Sequence, residues 1–388
     1  MINTDYYDID SLLTEDQRMV RDTVRSFVES EVLPIIEEHN QAMTFPMHLT
    51  RKIGELGLLG PTLPEKYGCA GMDNIAYGLI MQELERGDSG VRSFASVQGS
   101  LVMYPIYTYG NEEQRMKWLP KLATGEAIGC FGLTEPDFGS NPSGMITRAK
   151  KIEGGYLLNG AKMWITNGTI SDVAVVWAKC DDEKIRGFLV EKGMKGFTAP
   201  EMKGKYSLRA SITSELVFQD VELPEANLLP NVEGLKGPLG CLTQARYGIS
   251  WGAIGAAMAC YESSVNYAKS RIQFGKPIGS FQLVQQKLAE MLTEITKAQL
   301  LVHRLGTLKN EGKMRPQQVS LAKRNNVDIA IRIARSARDL HGANGILGEY
   351  PIMRHMANLE SVRTYEGTHD IHTLILGQDI TGIAAYGG

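Results

Sequence analysis

A chain of 388 residues, 43% hydrophobic and 22% charged, has the composition of an ordinary folded protein and the length for two or three domains around a substantial core. A net charge of −3 and a sequence pI near 6.2 give no basic surplus for nucleic acid, and the most apolar run, ISWGAIGAAMAC at 249–260, is too short to span a bilayer. Cys69, Cys130, Cys180, Cys241 and Cys260 lie far apart without a C-x-x-C pair, which argues against a disulfide framework or a zinc site and for a reducing compartment. The acidic start, MINTDYYDID, carries no targeting segment, so the expected location is the cytoplasm, or the mitochondrial matrix for a processed eukaryotic chain.

The first third reads as helical. Thr14 stands three residues before Gln17 at capping-box spacing, and Val20, Val24, Phe27, Val28 and Val32 follow along one face. Further helices are predicted at about 47–58, 73–86, 94–108 and 112–122. From about 126 to 235 the stretches GYLLNGAKMWITNG, DVAVVWAK, RGFLVEKG and SELVFQDVELP are short, β-branched or aromatic, and divided by Gly, Asn, Asp and Pro, which predicts a β domain. Beyond Pro238 longer helices return. Val284, Leu288, Met291, Ile295, Ala298, Val302 and Leu305 form the seam of a helix packed lengthwise in a bundle. The predicted domains are therefore a helical unit at 1–125, a β unit at 126–236 and a helical bundle at 237–388, with no βαβ alternation and neither the G-x-G-x-x-G nor the P-loop signature.

Several stretches carry chemistry. RTYEGTHDIH at 363–372 holds a Glu-x-x-His pair, Glu366 and His369, but no second such pair exists to complete a di-metal site. There is no G-x-S-x-G for a nucleophilic serine, and Cys130 sits between apolar neighbours as a structural thiol. FGLTEPDFGSNP at 131–142 offers hydroxyls and unpaired amides to a polar cofactor, or is a plain turn-rich connection. KMWITNG at 162–168 could be plain strand, and RIQFGKPIGSFQ at 271–282 a helix end followed by a helix start with Arg271 solvated.

Taken together and in this order, FGLTEPDFGS, MWITNG, RIQFGKPIGSFQ, RDLHGANGI and YEGTHDIHTLILG resemble the acyl-CoA dehydrogenase family over nearly the whole chain. LERGDSGVRSFASVQGSLVM, GKYSLRAS, GCLTQARYGISWG, KRNN and the C-terminal TYEGTHDIHTLILGQDITGI narrow the resemblance to its decarboxylating glutaryl-CoA dehydrogenases. The resemblance implies a mainly α fold with a central, barrel-like β domain between an N-terminal helical domain and a C-terminal four-helix bundle. It also implies FAD as cofactor, a homotetramer built as a dimer of dimers, and an electron-transferring flavoprotein as acceptor. The implied reaction converts glutaryl-CoA to crotonyl-CoA and CO2, in lysine and tryptophan degradation.

Carried over by position, Glu366 would be the catalytic base. Phe131, Leu133, Thr134, Gly139 and Ser140, with Trp164, Ile165 and Thr166, would hold the flavin ring and pyrophosphate. Arg271, Phe274, Gln282, Asp339, Gly342 and Ala343 would reach the adenosine half from a neighbouring subunit, and Thr368 and Asp370 would also lie by FAD. Arg92 would read the distal carboxylate of a dicarboxylic acyl group, beside Glu85 and Tyr365. Ser93, Ser140, Thr243, Arg246 and Gly367 would line the rest of the acyl-CoA site. Arg92 could equally be an ion-pair partner of Glu85, seven residues earlier on one helix face. Asn141 departs from the acid that relatives often carry there. The rival readings are a dehydrogenase for uncharged short or branched acyl-CoA, a glutaryl-CoA dehydrogenase that stops before CO2 loss, and a non-enzymatic helical scaffold.

Overall fold

The computed structural model describes residues 4–385. Its N-terminal part comprises α1 (Glu15–Phe27), α2 (Ile36–Ala42), α3 (Leu49–Glu55), α4 (Asn74–Gly87), α5 (Ser89–Ser96), α6 (Tyr104–Tyr109) and α7 (Glu112–Ala123). The capping box opens α1 as the spacing predicts: Thr14 Oγ1 accepts from the Gln17 amide, and Gln17 Oε1 from that of Thr14. The helix predicted at 94–108 is interrupted by a π-helical segment at Val97–Met103.

The middle part is a mixed sheet of β1 (Gly129–Gly132), β2 (Arg148–Ile152), β3 (Gly155–Thr166), β4 (Val173–Cys180), β5 (Ile185–Glu191), β6 (Phe197–Thr198) and β7 (Thr213–Pro224). It runs β1, β4, β2, β3, β7, β6, with β5 on the free side of β4; β1 and β2 lie parallel to β4 and the other pairs are antiparallel. β4 explains how sheet and helices join. Val173, Val175 and Trp177 enter the core shared with the helices, while the alternate Ala174, Val176 and Ala178 enter a second core with Phe188, Leu216 and Phe218. Because both faces are covered, this strand is apolar without interruption from Val173 to Ala178, within the DVAVVWAK run of the sequence.

The last part holds α8 (Lys236–Ser270), a hairpin of β8 (Ile272–Gln273) and β9 (Lys276–Pro277), then α9 (Gln282–Asn310), α10 (Pro316–Leu340), α11 (Ile352–Thr364) and α12 (His369–Thr381). α8 packs against both α4 and α10. It meets α4 through Gly248, Gly252 and Gly255, where a Cβ would strike the Tyr77 hydroxyl, the Glu85 carboxylate and the Gln82 carbonyl respectively. That close approach places polar groups of α4 in the interior. Met291, Ile295, Ala298, Val302 and Leu305 of the predicted seam are buried, with Leu288 packed against them.

Candidate active site

α11 ends at Thr364 with Tyr365 as its C-cap, and the chain turns through two left-handed residues, Glu366 (φ 52°) and Gly367 (φ 93°), before Thr368 caps α12 by accepting from the Ile371 amide. A non-glycine residue in this region costs on the order of 1–3 kcal/mol and persists only where its surroundings impose it. Here three successive carbonyls are gripped by buried cations. Lys323 Nζ donates to the Tyr365 carbonyl and, at 2.7 Å, to that of Gly367, while Arg246 Nε donates to the Glu366 carbonyl at 2.7 Å. Gly367 has no substitute, since a Cβ there would lie 2.9 Å from His372 Nε2 and 3.1 Å from Arg246 Nη2.

The Glu366 carboxylate points inward, and its Oε2 is buried without a hydrogen-bond partner. Burial pushes its pKa up, and the charges of Lys323, Arg92 and Arg246 pull it part of the way back. A buried carboxylate raised above its ordinary range, with no hydrogen-bond donor on Oε2, is placed to accept a proton. The surrounding cations also make Glu366 and His369 a poor pair of metal ligands.

Beside it lies a buried ion pair. Arg92 Nε meets Glu85 Oε2 at 2.6 Å, and both side chains are essentially inaccessible to solvent. Ser89 Oγ donates to the other Glu85 oxygen at 2.8 Å, and Arg92 Nη2 donates to the Tyr365 hydroxyl. Burial opposes the charge on Arg92, but Glu85, Tyr365 and Glu366 together outweigh it, so the guanidinium stays protonated; burial likewise pushes the Tyr365 phenol up. Ser93 Oγ stands 3.5 Å from the Tyr365 hydroxyl. The sequence put Glu85 and Arg92 on one helix face, and the structure corrects this. Asp88 breaks the helix with extended backbone (φ −165°, ψ 142°) and caps α5 by accepting from the Gly90 amide at 2.6 Å, so the pair bridges a junction. Gly252 of α8 leaves the room this pair occupies.

The residues expected around the flavin form a second group. β1 and the loop after it carry Phe131 and Leu133, both buried, and a half-buried Thr134 whose carbonyl accepts from the Met163 amide at 2.8 Å. That contact sets the loop beside a bulge in β3 between Lys162 and Ile165, where Trp164 (φ 63°) stands 61% exposed; Ile165 is buried and Thr166 half-buried. Lys162, fully buried, donates to Glu135 Oε1 at 2.8 Å and to the Leu133 carbonyl at 3.1 Å, while the Glu135 carboxylate accepts from the Ile146 and Thr147 amides. The loop is thus anchored from inside, leaving Gly139 and Ser140 exposed at its tip.

Arg271, Phe274 and Gln282 are exposed on and after the β8–β9 hairpin, a turn where the sequence suggested only a helix end and a helix start. Asp339, Gly342 and Ala343 are exposed at the end of α10, where Leu340 shares a small cluster with Tyr267, Ala268 and Ile278. On α8, the half-buried Thr243 bonds to the Leu239 carbonyl one turn before Arg246. Asp370 is exposed in the first turn of α12. Sequence reasoning gave no role to Lys323, Ser89 or Gly252. Lys323 could have been noticed as a charge at a buried position of α10, with Val319, Asn326 and Ala330 at helical spacing on the same face.

These residues fit a flavin dinucleotide. Trp164 presents an uncovered aromatic face at the bulge, the loop before it offers Thr134 and glycine-rich backbone, and the unpartnered Glu366 oxygen faces the interior. The family comparison agrees. The chain matches the acyl-CoA dehydrogenase N-terminal domain over residues 14–126, the middle domain over 130–221 and the C-terminal domain over 233–381. It belongs to the acyl-CoA dehydrogenase family and is a flavin-dependent oxidoreductase of acyl-CoA with FAD as its cofactor. It is 38% identical over 375 residues to an acyl-CoA dehydrogenase of Bacillus subtilis (strain 168), covering 95% of this chain and 99% of that one. Among solved structures, glutaryl-CoA dehydrogenase from Mycobacterium smegmatis superposes over 100% of both chains at 53% identity with a TM-score of 0.97. A structure of that enzyme in complex with FADH2 matches at the same identity and TM-score over 98% of both chains.

Proposed function

We propose that this chain oxidises glutaryl-CoA and releases CO2, yielding crotonyl-CoA. The observation that carries the reading is the trio of buried Glu85 and Arg92 with half-buried Tyr365 beside Glu366. A guanidinium out of water is an expensive feature that an uncharged acyl chain would not need, whereas a carboxylate at the far end of a glutaryl chain matches its fork. Arg92 spends Nε on Glu85 and Nη2 on Tyr365, so Nη1 is committed to neither. The M. smegmatis neighbour bears the name of this activity, which supports the same substrate.

In this reading Glu366 removes the proton from the acyl α-carbon, and its backbone N–H donates to the thioester oxygen as negative charge gathers there. Bound FAD supplies the acceptor for the β-hydride, held by Trp164, Ile165, Thr166, Phe131, Leu133, Thr134, Gly139 and Ser140. Once the α,β double bond exists, the bond to the distal carboxylate breaks, its electron pair passes into the conjugated thioester, and protonated Glu366 returns a proton to carbon. Glu85 and Tyr365 compete for Arg92 as the carboxylate loses its charge, which keeps the arginine from holding back departure. Ser93, Thr243, Arg246 and Gly367 line the ester; Arg271, Phe274, Gln282, Asp339, Gly342, Ala343, Thr368 and Asp370 serve the rest of FAD in a homotetramer; and an electron-transferring flavoprotein takes the electrons, in the cytoplasm or a mitochondrial matrix. Anaerobic mixing with glutaryl-CoA tests the substrate and the outcome together. Flavin bleaching with one CO2 per flavin and crotonyl-CoA on chromatography is expected. Bleaching by butyryl-CoA alone would remove the glutaryl reading, and glutaconyl-CoA as stable product would remove decarboxylation.

A further inference from the structure

Lys323 is 1% exposed, and its hydrogen bonds go to backbone carbonyls of Tyr365 and Gly367, with no carboxylate among them. An ammonium group buried in this way pays a large desolvation cost, and an apolar side chain of similar length would fill the space more cheaply. The charge is therefore placed for something other than packing. Its position against the peptide groups shows what. The Tyr365 carbonyl that it grips belongs to the same peptide as the Glu366 N–H. Pulling electron density toward the carbonyl oxygen of an amide makes its N–H a stronger donor. Arg246 does the same one peptide further on, where the polarised N–H is that of Gly367.

Resting on the reading of Glu366 as base, we propose that Lys323 is a positioning residue that strengthens the Glu366 N–H as the donor to the thioester oxygen and keeps the Glu366 carboxylate ionised for proton removal. One side chain thereby couples the two catalytic tasks of this turn, since stabilising the developing enolate and retaining a competent base both depend on the same positive charge. The charged and titratable groups around Glu366 are Lys323 from α10, Arg246 from α8, Arg92 from α5 backed by Glu85 of α4, Tyr77 of α4, Tyr365 on the turn itself, and His372 of α12. His372 is kept neutral by burial and by its neighbours Lys323 and Arg246, so it cannot replace the lost cation. Lys323 and Glu366 titrate as a pair, with burial driving Lys323 down and Glu366 up while each charge holds the other. The sign follows: removing the cation raises the Glu366 pKa further, so the ionised base appears only at higher pH.

The test uses the FAD-loaded wild type and Lys323→Met, with Lys323→Gln as a second variant that keeps a hydrogen-bond donor while losing the charge. Single-turnover flavin reduction is followed against pH, and the infrared carbonyl stretch of a bound acyl-CoA labelled with carbon-13 at the thioester is recorded. In the variants the rising limb of the pH profile moves at least one unit to higher pH, which is about a tenfold loss at a fixed pH below it. The lowering of the carbonyl stretch seen on binding to wild type is reduced in both variants. FAD content and acyl-CoA binding stay near wild type in Lys323→Gln. An unchanged limb together with an unchanged carbonyl stretch in a folded variant overturns the proposal, because a purely structural lysine moves neither. Should Lys323→Met fail to fold, Lys323→Gln alone decides on the same criteria. Both measurements run equally with butyryl-CoA, so failure of the glutaryl substrate reading is seen separately in the wild type.

Discussion

The Glu366 pocket and the β8–β9 hairpin are built in opposite ways. In the pocket Glu85, Arg92, Lys323 and Arg246 are buried and drawn together from α4, α5, α10 and α8, with the polar atoms largely satisfied inside one chain. On the hairpin, Phe274 is 92% exposed in a left-handed backbone (φ 53°), beside exposed Arg271 and Ile272. Among the described residues the strained, uncovered Phe274 ring has only an edge contact with Phe281 to hold it, whereas the strained Glu366 has three cation contacts to its turn. On the proposed reading, the groups for the chemistry come together within the single fold, and the grip on the far end of the cofactor is the part left for further contacts to finish.

The sharpest way to break that comparison is to empty the pocket of its base. Glu366→Gln is expected to keep FAD and acyl-CoA binding while flavin reduction falls about 10²- to 10⁴-fold, the usual worth of a general base. Stopped-flow bleaching checks it, and near-normal bleaching would remove Glu366 from the role. Next in size is Arg92→Gln. Leaving a substrate carboxylate without its buried partner costs about 2–5 kcal/mol, so kcat/KM for glutaryl-CoA should fall far more than for butyryl-CoA. Equal losses with the two substrates would make Arg92 a support for the fold.

How much of this contrast the sequence shows depends on what each region is made from. Segments fixed by side-chain periodicity or local capping are readable: the Thr14–Gln17 box, the Met291–Leu305 seam and the doubly buried strand at Val173–Cys180 all appear where the pattern predicts. At Asp88 the reading is partial: the helix predicted to end at about 86 does end at Gly87, but the restart of α5 at Ser89 is missed, and the contacts of Arg354 Nε and Asn358 Nδ2 from α11 to the other Asp88 oxygen leave no local pattern. The role of Lys323 is hidden for a different reason. Its partners are main-chain oxygens 42 and 44 residues away, and backbone carbonyls leave no mark in a sequence. The motifs therefore bring the candidate site residues into view, while the device that orients the catalytic turn becomes visible only in three dimensions.

A smaller change sharpens the comparison from within the pocket. In Gly252→Ala the added methyl collides with Glu85 Oε2 and lies 3.2 Å from Arg92 Nε, so the ion pair must shift. Overpacking of this kind costs about 1–3 kcal/mol. The expected result is a lowered thermal midpoint together with a greater loss toward glutaryl-CoA than toward butyryl-CoA. A loss of stability with unchanged substrate preference would show that the pair can move without affecting the carboxylate.

The smallest expected effect belongs to the hairpin. Phe274 gives its ring little to pack on within the chain beyond an edge contact with Phe281 at 6.0 Å between centroids, so removing the ring deprives this fold of little. If the ring is there for the adenosine half of FAD, Phe274→Ala should leave the thermal midpoint of the apoprotein unchanged and weaken FAD retention by about 0.5–1.5 kcal/mol, the typical worth of one aromatic contact. That is roughly a two- to twelvefold rise in the FAD dissociation constant, readable by fluorescence as flavin is released on dilution. The bleaching rate per bound flavin should not change, because Glu366, Arg92 and Lys323 are held by other elements. A variant that retained FAD normally but bleached slowly would invert the division between the two regions and place the hairpin in the chemistry instead of the binding.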